Sequence, residues 1–232
     1  MSIAGPGKII QDGLVLYLDA SNTKSYVSGS TTWTDISRTG NNGTLTNGPS
    51  FSGSNGGVIV FDGSNDYVAG PTFTGLGSSN RTVDVWFQVR SLSATSTSER
   101  ILTLVTDDTS TDTPALTFAY SNTLSSLSAG FGGTPYNGYV SNFNFTLSTW
   151  INLVASITGN NIVVYKDSIL IGSATNSGAV GANPILYLGR YNNFYSQYAD
   201  IIISSCKIYN RALSATEVLQ NYNVEKKKFG LS

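Results

Sequence analysis

The spacing of the apolar residues constrains this chain most: they recur in short runs broken by glycine-centred turn signals. Runs at 14–18, 58–61, 81–89, 100–105, 115–120, 126–131, 150–157, 162–166, 168–171, 185–188 and 200–209 carry period-two or continuous apolar patterning at strand lengths. Between such runs, Asp12-Gly13, Asn42-Gly43, Asn47-Gly48, Asn55-Gly56, Asp62-Gly63 and Asn137-Gly138 supply residues that tolerate positive φ, as tight turns require. Ile162 to Tyr165 turns through Lys166-Asp167-Ser168 into Ile169 to Ile171, a spacing that leaves antiparallel pairing as the practical connection. A second hairpin runs from 115–120 through Ser121-Asn122-Thr123 toward 127–131. The expected fold is therefore all-β, an antiparallel two-sheet jelly-roll sandwich.

One helix interrupts the pattern. Ser214 and Glu217 form a capping box, in which each side chain satisfies a backbone N–H that the first helical turn leaves free. The helix is expected to end near Asn223, with Val218, Leu219 and Tyr222 covering one end of the sandwich. All-β chains of 232 residues commonly form one domain, so the expected division is an arm over 1–12, the sandwich over 13–224 and a basic tail over 225–232. Both terminal segments are expected to be dispensable to the sandwich. The tail, with Lys226, Lys227, Lys228 and Phe229, is expected to need a partner surface to become ordered and to serve as a docking arm.

Composition narrows the function. Charged residues make up 12% of the chain and the net charge is −1, so no field gathers nucleic acid or draws the chain to an anionic membrane. No run is long enough for a transmembrane helix, and residues 1–11 lack the charged start and apolar run of a secretory signal; the expectation is a soluble chain made in the cytoplasm. The lone Cys206 excludes an intramolecular disulfide and reads as a small buried hydrophobe within a strand.

With no histidine, the chain cannot build a Ser-His-Asp, Cys-His or histidine-zinc site. Glycoside hydrolysis needs two carboxylates across a sugar, but Glu99, Glu217 and Glu225 are the only glutamates, and Asp84 has no carboxylate two or four residues away on its strand. Asp107-Asp108 with Asp112 reads as an exposed Thr-rich turn. No catalytic residue is assigned and no cofactor is required. Two aromatic, amide-rich loops could hold a sugar: one with Arg190, Tyr191, Asn192, Asn193 and Tyr195, the other with Tyr136 and Tyr139. The same composition suits a protein interface or aromatics folded back on the core.

The run from Trp33 through Asp35, Ser37, Gly40, Asn41, Gly43 and Leu45, followed by Val60-Phe61-Asp62-Gly63 and Asp66-Tyr67-Val68, resembles the opening of the laminin-G-like, concanavalin A-like lectin/glucanase superfamily. Val83 to Phe87, Trp150 to Ala155 and the hairpin from Ile162 to Gly172 resemble its later strands. The ending from Lys207 through Ile208-Tyr209-Asn210-Arg211-Ala212-Leu213-Ser214 to Asn223, with its Lys-rich terminus, is similar to versions in structural proteins of tailed bacteriophages. The resemblance implies that Trp33, Trp86 and Trp150 pack in the core. It points to Asp62, and more weakly Asp66, as oxygen ligands for Ca2+, a hard cation suited to carboxylates and carbonyls. Ser204 stands where many members place an acid, which weakens the metal reading, and an Asx turn before Gly63 is the preferred account of Asp62.

The expected function is a non-enzymatic virion module, in capsid or tail, that decorates the particle or binds host-surface glycans. Its expected partners are other virion proteins or further copies of itself. A free-standing lectin and a glycosidase of the same fold are the alternatives.

Overall fold

A computed structural model describes residues 7–77, 79–92, 98–106, 114–121, 126–131, 138–176, 181–191 and 197–232. The strands, in chain order, are β1 (Leu14–Asp19), β2 (Thr32–Trp33), β3 (Gly43–Thr46), β4 (Ser50–Ser52), β5 (Val58–Val60), β6 (Tyr67–Thr72), β7 (Asn80–Val89) and β8 (Ser98–Val105). They continue as β9 (Pro114–Ser121), β10 (Ser126–Phe131), β11 (Gly138–Asn144), β12 (Ile151–Thr158), β13 (Asn161–Lys166), β14 (Ile169–Thr175), β15 (Ile185–Leu188) and β16 (Ile201–Tyr209). The single α-helix among the described residues, α1 (Ala215–Glu225), runs into a 3-10 turn over Lys226–Phe229.

The strands form two antiparallel sheets, the sandwich expected from the apolar pattern. The first has the order β14-β13-β12-β7-β16-β5-β4, with β1 also paired to β16; the second has the order β11-β10-β9-β8-β15-β6-β3-β2. Both hairpins form: β13 pairs β14, and β9 pairs β10 with Tyr120 opposite Leu127. The β13–β14 loop is the pair Asp167-Ser168, both at positive φ (52° and 65°), the two-residue turn whose twist matches its flanking strands. Strands β2, β3, β4, β6 and β11 had no apolar run to announce them. Three of them, β2, β4 and β11, are sheet edges, where one unpaired side and a Ser/Thr/Asn-rich sequence weaken the period-two signal.

The main core lies between the sheets. Val83, Val85, Phe87 and Val89 of β7 face Leu102, Leu104, Leu116 and Phe118 of β8 and β9, joined by Leu153, Ile203 and the fully buried Cys206. Trp33 belongs to this core as expected.

Trp86 does not. It is fully buried, but it alternates with Val85 and Phe87 and so points away from the inter-sheet core. What buries it is the C-terminal segment: Tyr222 of α1 stacks on one side at a ring-centroid distance of 5.4 Å and Phe229 stacks at 4.4 Å. Trp150 is likewise no core residue. It sits half-buried just before β12, 4.4 Å from the Phe229 ring, and its Nε1 donates to Asn55 Oδ1 at 3.3 Å.

Residues 8–10 and the segment over 225–229 therefore pack against the sandwich. The helix continues two residues past Asn223 to Glu225, and the 3-10 turn ends at Gly230 in the left-handed region (φ 69°). The Ser214 hydroxyl accepts from Glu217 N while the Glu217 carboxylate accepts from Ser214 N, the reciprocal cap read from the sequence. At the other end of the chain, Ile10 N donates to Asn221 Oδ1 (3.0 Å) and Gln220 Nε2 donates to Lys8 O (2.7 Å), so residues 8–10 lie against α1.

Candidate functional site

Three places carry the candidate functional residues. At the rim, Asp62, Gly63, Ser91, Glu99 and Asp200 line a cleft of about 140 Å3. Asp62 Oδ1 accepts from Ser64 N (2.8 Å) and Asn65 N (3.4 Å), an Asx turn that lets the chain reverse before β6. Those backbone donors hold its carboxyl below the ordinary range. Asp66 Oδ2 accepts from Asp62 N (3.1 Å); burial pushes the Asp66 carboxyl up, favouring the neutral form. Asp62 and Asp66 are thus engaged with the turn itself, and among the described residues no three or more His, Cys, Asp or Glu side chains are grouped to hold a metal. Asp200 is gripped by Ser91 Oγ, which donates to Oδ2 at 2.5 Å, and by Arg90 Nη1 at 3.1 Å from Oδ1. Glu99 is 3% exposed and accepts a short hydrogen bond from the Tyr120 hydroxyl, whose pKa rises through burial and this carboxylate. Sequence reading missed this assembly because Ser91, Glu99 and Asp200 come from three separate stretches of chain.

The second place is the aromatic loop region. Arg190 and Tyr191 were expected to reach a ligand, but each is 5% exposed. The Arg190 guanidinium lies over the rings of Tyr67 (4.3 Å), Tyr187 (5.1 Å) and Tyr198 (5.7 Å), and Arg100 lies 5.0 Å from the Tyr191 ring. Cation–π packing of this kind fixes the chain across the second sheet and leaves neither side chain presented to a sugar. Tyr139 stands 44% exposed on β11. Asn192, Asn193, Tyr195 and Tyr136 lie outside the described residues.

The third is the outer face of the first sheet under α1. Neighbouring strands place Asn152, Trp86 and Ser205 in one row, Val154, Asp84 and Lys207 in the next, and Ser156, Thr82 and Tyr209 in a third. Lys207 is fully buried, with Nζ 3.6 Å from Asp84 Oδ2 and in a shorter ion pair with Glu225, which α1 lowers onto the sheet. Burial works against the Lys207 ammonium, but Asp84 and Glu225 outweigh it and raise its pKa. Glu225 also accepts from Ser205 Oγ (2.8 Å), and Lys228 Nζ lies 3.5 Å from Glu225 and 3.0 Å from Asp19. Burial pushes the Asp19 carboxyl up, and Lys228 and Ser21 more than reverse this, leaving it below its ordinary value.

The expectation that the tail needs a partner surface to become ordered is corrected here. Lys228 is spent on Asp19 and Glu225, Phe229 on Trp86 and Trp150, and Lys226 lies 5.6 Å from the Tyr222 ring; of these four residues Lys227 alone is exposed. The inference that Phe229 lacked a surface of its own failed because Trp86 and Trp150 are distant in sequence and meet only on the folded sheet.

With the sandwich and its rim in view, comparison with known proteins defines the class. Residues 62–219 match the family model described as the Concanavalin A-like lectin/glucanases superfamily, and the chain belongs to that family. Among solved structures it is similar to a Trypanosoma rangeli sialidase in complex with sialic acid, with TM-score 0.73 and 15% identity over 93% of this chain and 33% of the sialidase. It is also similar to the receptor-binding domain of botulinum neurotoxin type G, with TM-score 0.68 and 13% identity over 92% of this chain and 51% of that one. The chain thus spans about a third of the sialidase and half of the toxin domain, and at these identities the likeness is one of fold. No match was found among curated protein sequences.

Proposed function

We propose that this chain is a non-catalytic recognition module displayed on the virion of a tailed bacteriophage, where it binds neutral glycans of the host surface through the rim cleft. The observation that carries the binding reading is the cleft itself. Asp62 and Asp200 present acceptor oxygens beside the Ser91 hydroxyl, with the buried Glu99 adding negative charge behind them, a set suited to sugar hydroxyls and hostile to anionic ligands. The same carboxylates support a non-enzymatic role: each is committed to a turn, a tyrosine or an arginine–serine pair, and a glycosidase needs one acid free to give up a proton and another free to attack. The virion reading rests on the closing sequence from Lys207 to Asn223 and on the low charge, which lets copies pack densely without mutual repulsion. Its partners in this reading are other virion proteins or copies of itself, without nucleic acid and without membrane insertion.

A glycan array with the purified chain tests the binding reading: saturable binding to neutral glycans is expected, abolished by Asp200→Asn. Absence of any saturable ligand, or reducing ends released from bacterial polysaccharides, overturns it. For the virion role, capsid or tail genes are expected beside this one, and a metabolic operon there would overturn it.

A further inference from the structure

The buried Lys207 calls for an explanation that packing does not supply. Taking an ammonium and two carboxylates out of water costs several kcal/mol per ion, and a well-packed apolar set would fill the same space at less cost. Yet Lys207 is 0% exposed, and Asp84 and Glu225 are 1% exposed each.

The arrangement around Asp84 has the parts of an acyl-transfer site. Lys207 and Asp84 are directly opposite on the paired strands β16 and β7, with Nζ 3.6 Å from Oδ2. Asn152 Nδ2 donates to Asp84 Oδ1 (2.7 Å) and Asn221 Nδ2 to Oδ2 (3.3 Å), so an amide N–H points at each oxygen of the carboxyl. Such donors stabilise charge that develops on those oxygens when the carbon becomes tetrahedral. Glu225 is the group in closest contact with the Lys207 ammonium and is itself held by Ser205 and Lys228. The Tyr17 ring, 5.4 Å from Nζ, flanks the same site, and α1 lies over it with Asn221 and Glu225 both buried.

We propose that Lys207 and Asp84 condense within the folded chain to an isopeptide bond, with Glu225 as the catalytic proton carrier. Glu225 takes one proton from the ammonium, and the freed amine attacks Asp84 Cγ to form the C–N bond. The tetrahedral oxygens rest on Asn152 and Asn221. Glu225 returns its proton to one Asp84 oxygen, which leaves with a second nitrogen proton as water when the C–O bond breaks. The nitrogen keeps one hydrogen, the opposite charges of Lys207 and Asp84 cancel, Glu225 ends as it began, and no oxidant or cofactor enters. The product is a neutral amide where two buried charges stood, with Lys228 left to serve Glu225 and Asp19. It ties together two central strands of the first sheet, which suits a module exposed to mechanical load, although the chemistry does not depend on the proposed function.

Intact-mass spectrometry of the full chain in denaturant, after incubation at neutral pH, tests this. The expected mass is one water below that of the sequence. Trypsin is expected to yield a branched peptide joining the segments around Asp84 and Lys207, with no cleavage after Lys207. Glu225→Gln and Lys207→Arg are expected at their full sequence masses, and Asp84→Asn is expected to lose ammonia in place of water. A wild-type chain at its full sequence mass, or a water loss mapped elsewhere, overturns the proposal without reliance on any variant folding; a linked Glu225→Gln chain overturns the role of Glu225.

Discussion

Replacing Phe229 by alanine tests whether the C-terminal segment is a structural plug. The Phe229 ring stacks on Trp86 and lies against Trp150, with centroids 4.4 Å away in both cases, and it is half-buried. Emptying a fully buried phenylalanine site costs about 3–5 kcal/mol. The Phe229 ring is only partly enclosed, so a fraction of that applies, roughly 2 kcal/mol, with the aromatic contacts included. For a domain of this size each kcal/mol moves the melting temperature by about 2–4 °C, so Phe229→Ala is expected to lower Tm by about 4–8 °C. Circular dichroism melts measure the shift, and the tryptophan emission is expected to move to the red in the native state because water reaches Trp86. An unchanged Tm with unchanged emission would refute the plug and restore the tail as a free arm.

Trp86→Ala is expected to destabilise by about 3–5 kcal/mol and Trp150→Ala by about 1–2 kcal/mol, because Trp86 is fully enclosed and Trp150 only half so; urea melts compare the two. The Arg211 guanidinium, bonded to Glu217 at 2.6 Å, pulls the Glu217 carboxyl down to about 2. A lowered carboxyl stabilises the fold fully above its ordinary value of 4.5 and loses that contribution as the pH falls toward 2, so Glu217→Gln is expected to flatten the stability profile across that window. Asp62→Ala is expected to cost about 1 kcal/mol through loss of the Asx turn, equally with chelator or with millimolar calcium. A calorimetric heat with calcium that vanishes in the variant would instead make Asp62 a metal ligand.

The fold was legible because burial between two sheets writes itself into a period-two pattern: Val83, Val85, Phe87 and Val89 can be read without coordinates. The outer face was not legible. Thr82, Asp84 and Trp86 alternate with those residues as a solvent-facing row would, and nothing near Asp84 in sequence announces Lys207 or Glu225, which arrive from another strand and a helix. The packing of Arg190 and Tyr191 was illegible for a different reason. Tyrosine, arginine and asparagine compose sugar sites and self-packed corners alike, and only the position of Arg190 over Tyr67, Tyr187 and Tyr198 separates the two.

The plug also changes how a tail deletion must be interpreted. Removing residues 226–232 strips Phe229 from Trp86 and Lys228 from Asp19 and Glu225, so a failure to join a particle would follow from a damaged sheet as readily as from a lost docking contact. Lys227 separates the two causes, because it is exposed and its neighbours Lys226 and Lys228 hold the internal contacts. Lys227→Ala is expected to leave Tm unchanged, since an exposed side chain with no packing role is worth within about 0.5 kcal/mol. It is also expected to leave particle incorporation or self-association unchanged, whereas Phe229→Ala lowers Tm and incorporation together. Sedimentation of particles assembled with each variant measures incorporation. Loss of incorporation in Lys227→Ala at an unchanged Tm would show that the tail, though folded onto its own sheet, still presents a contact to a partner.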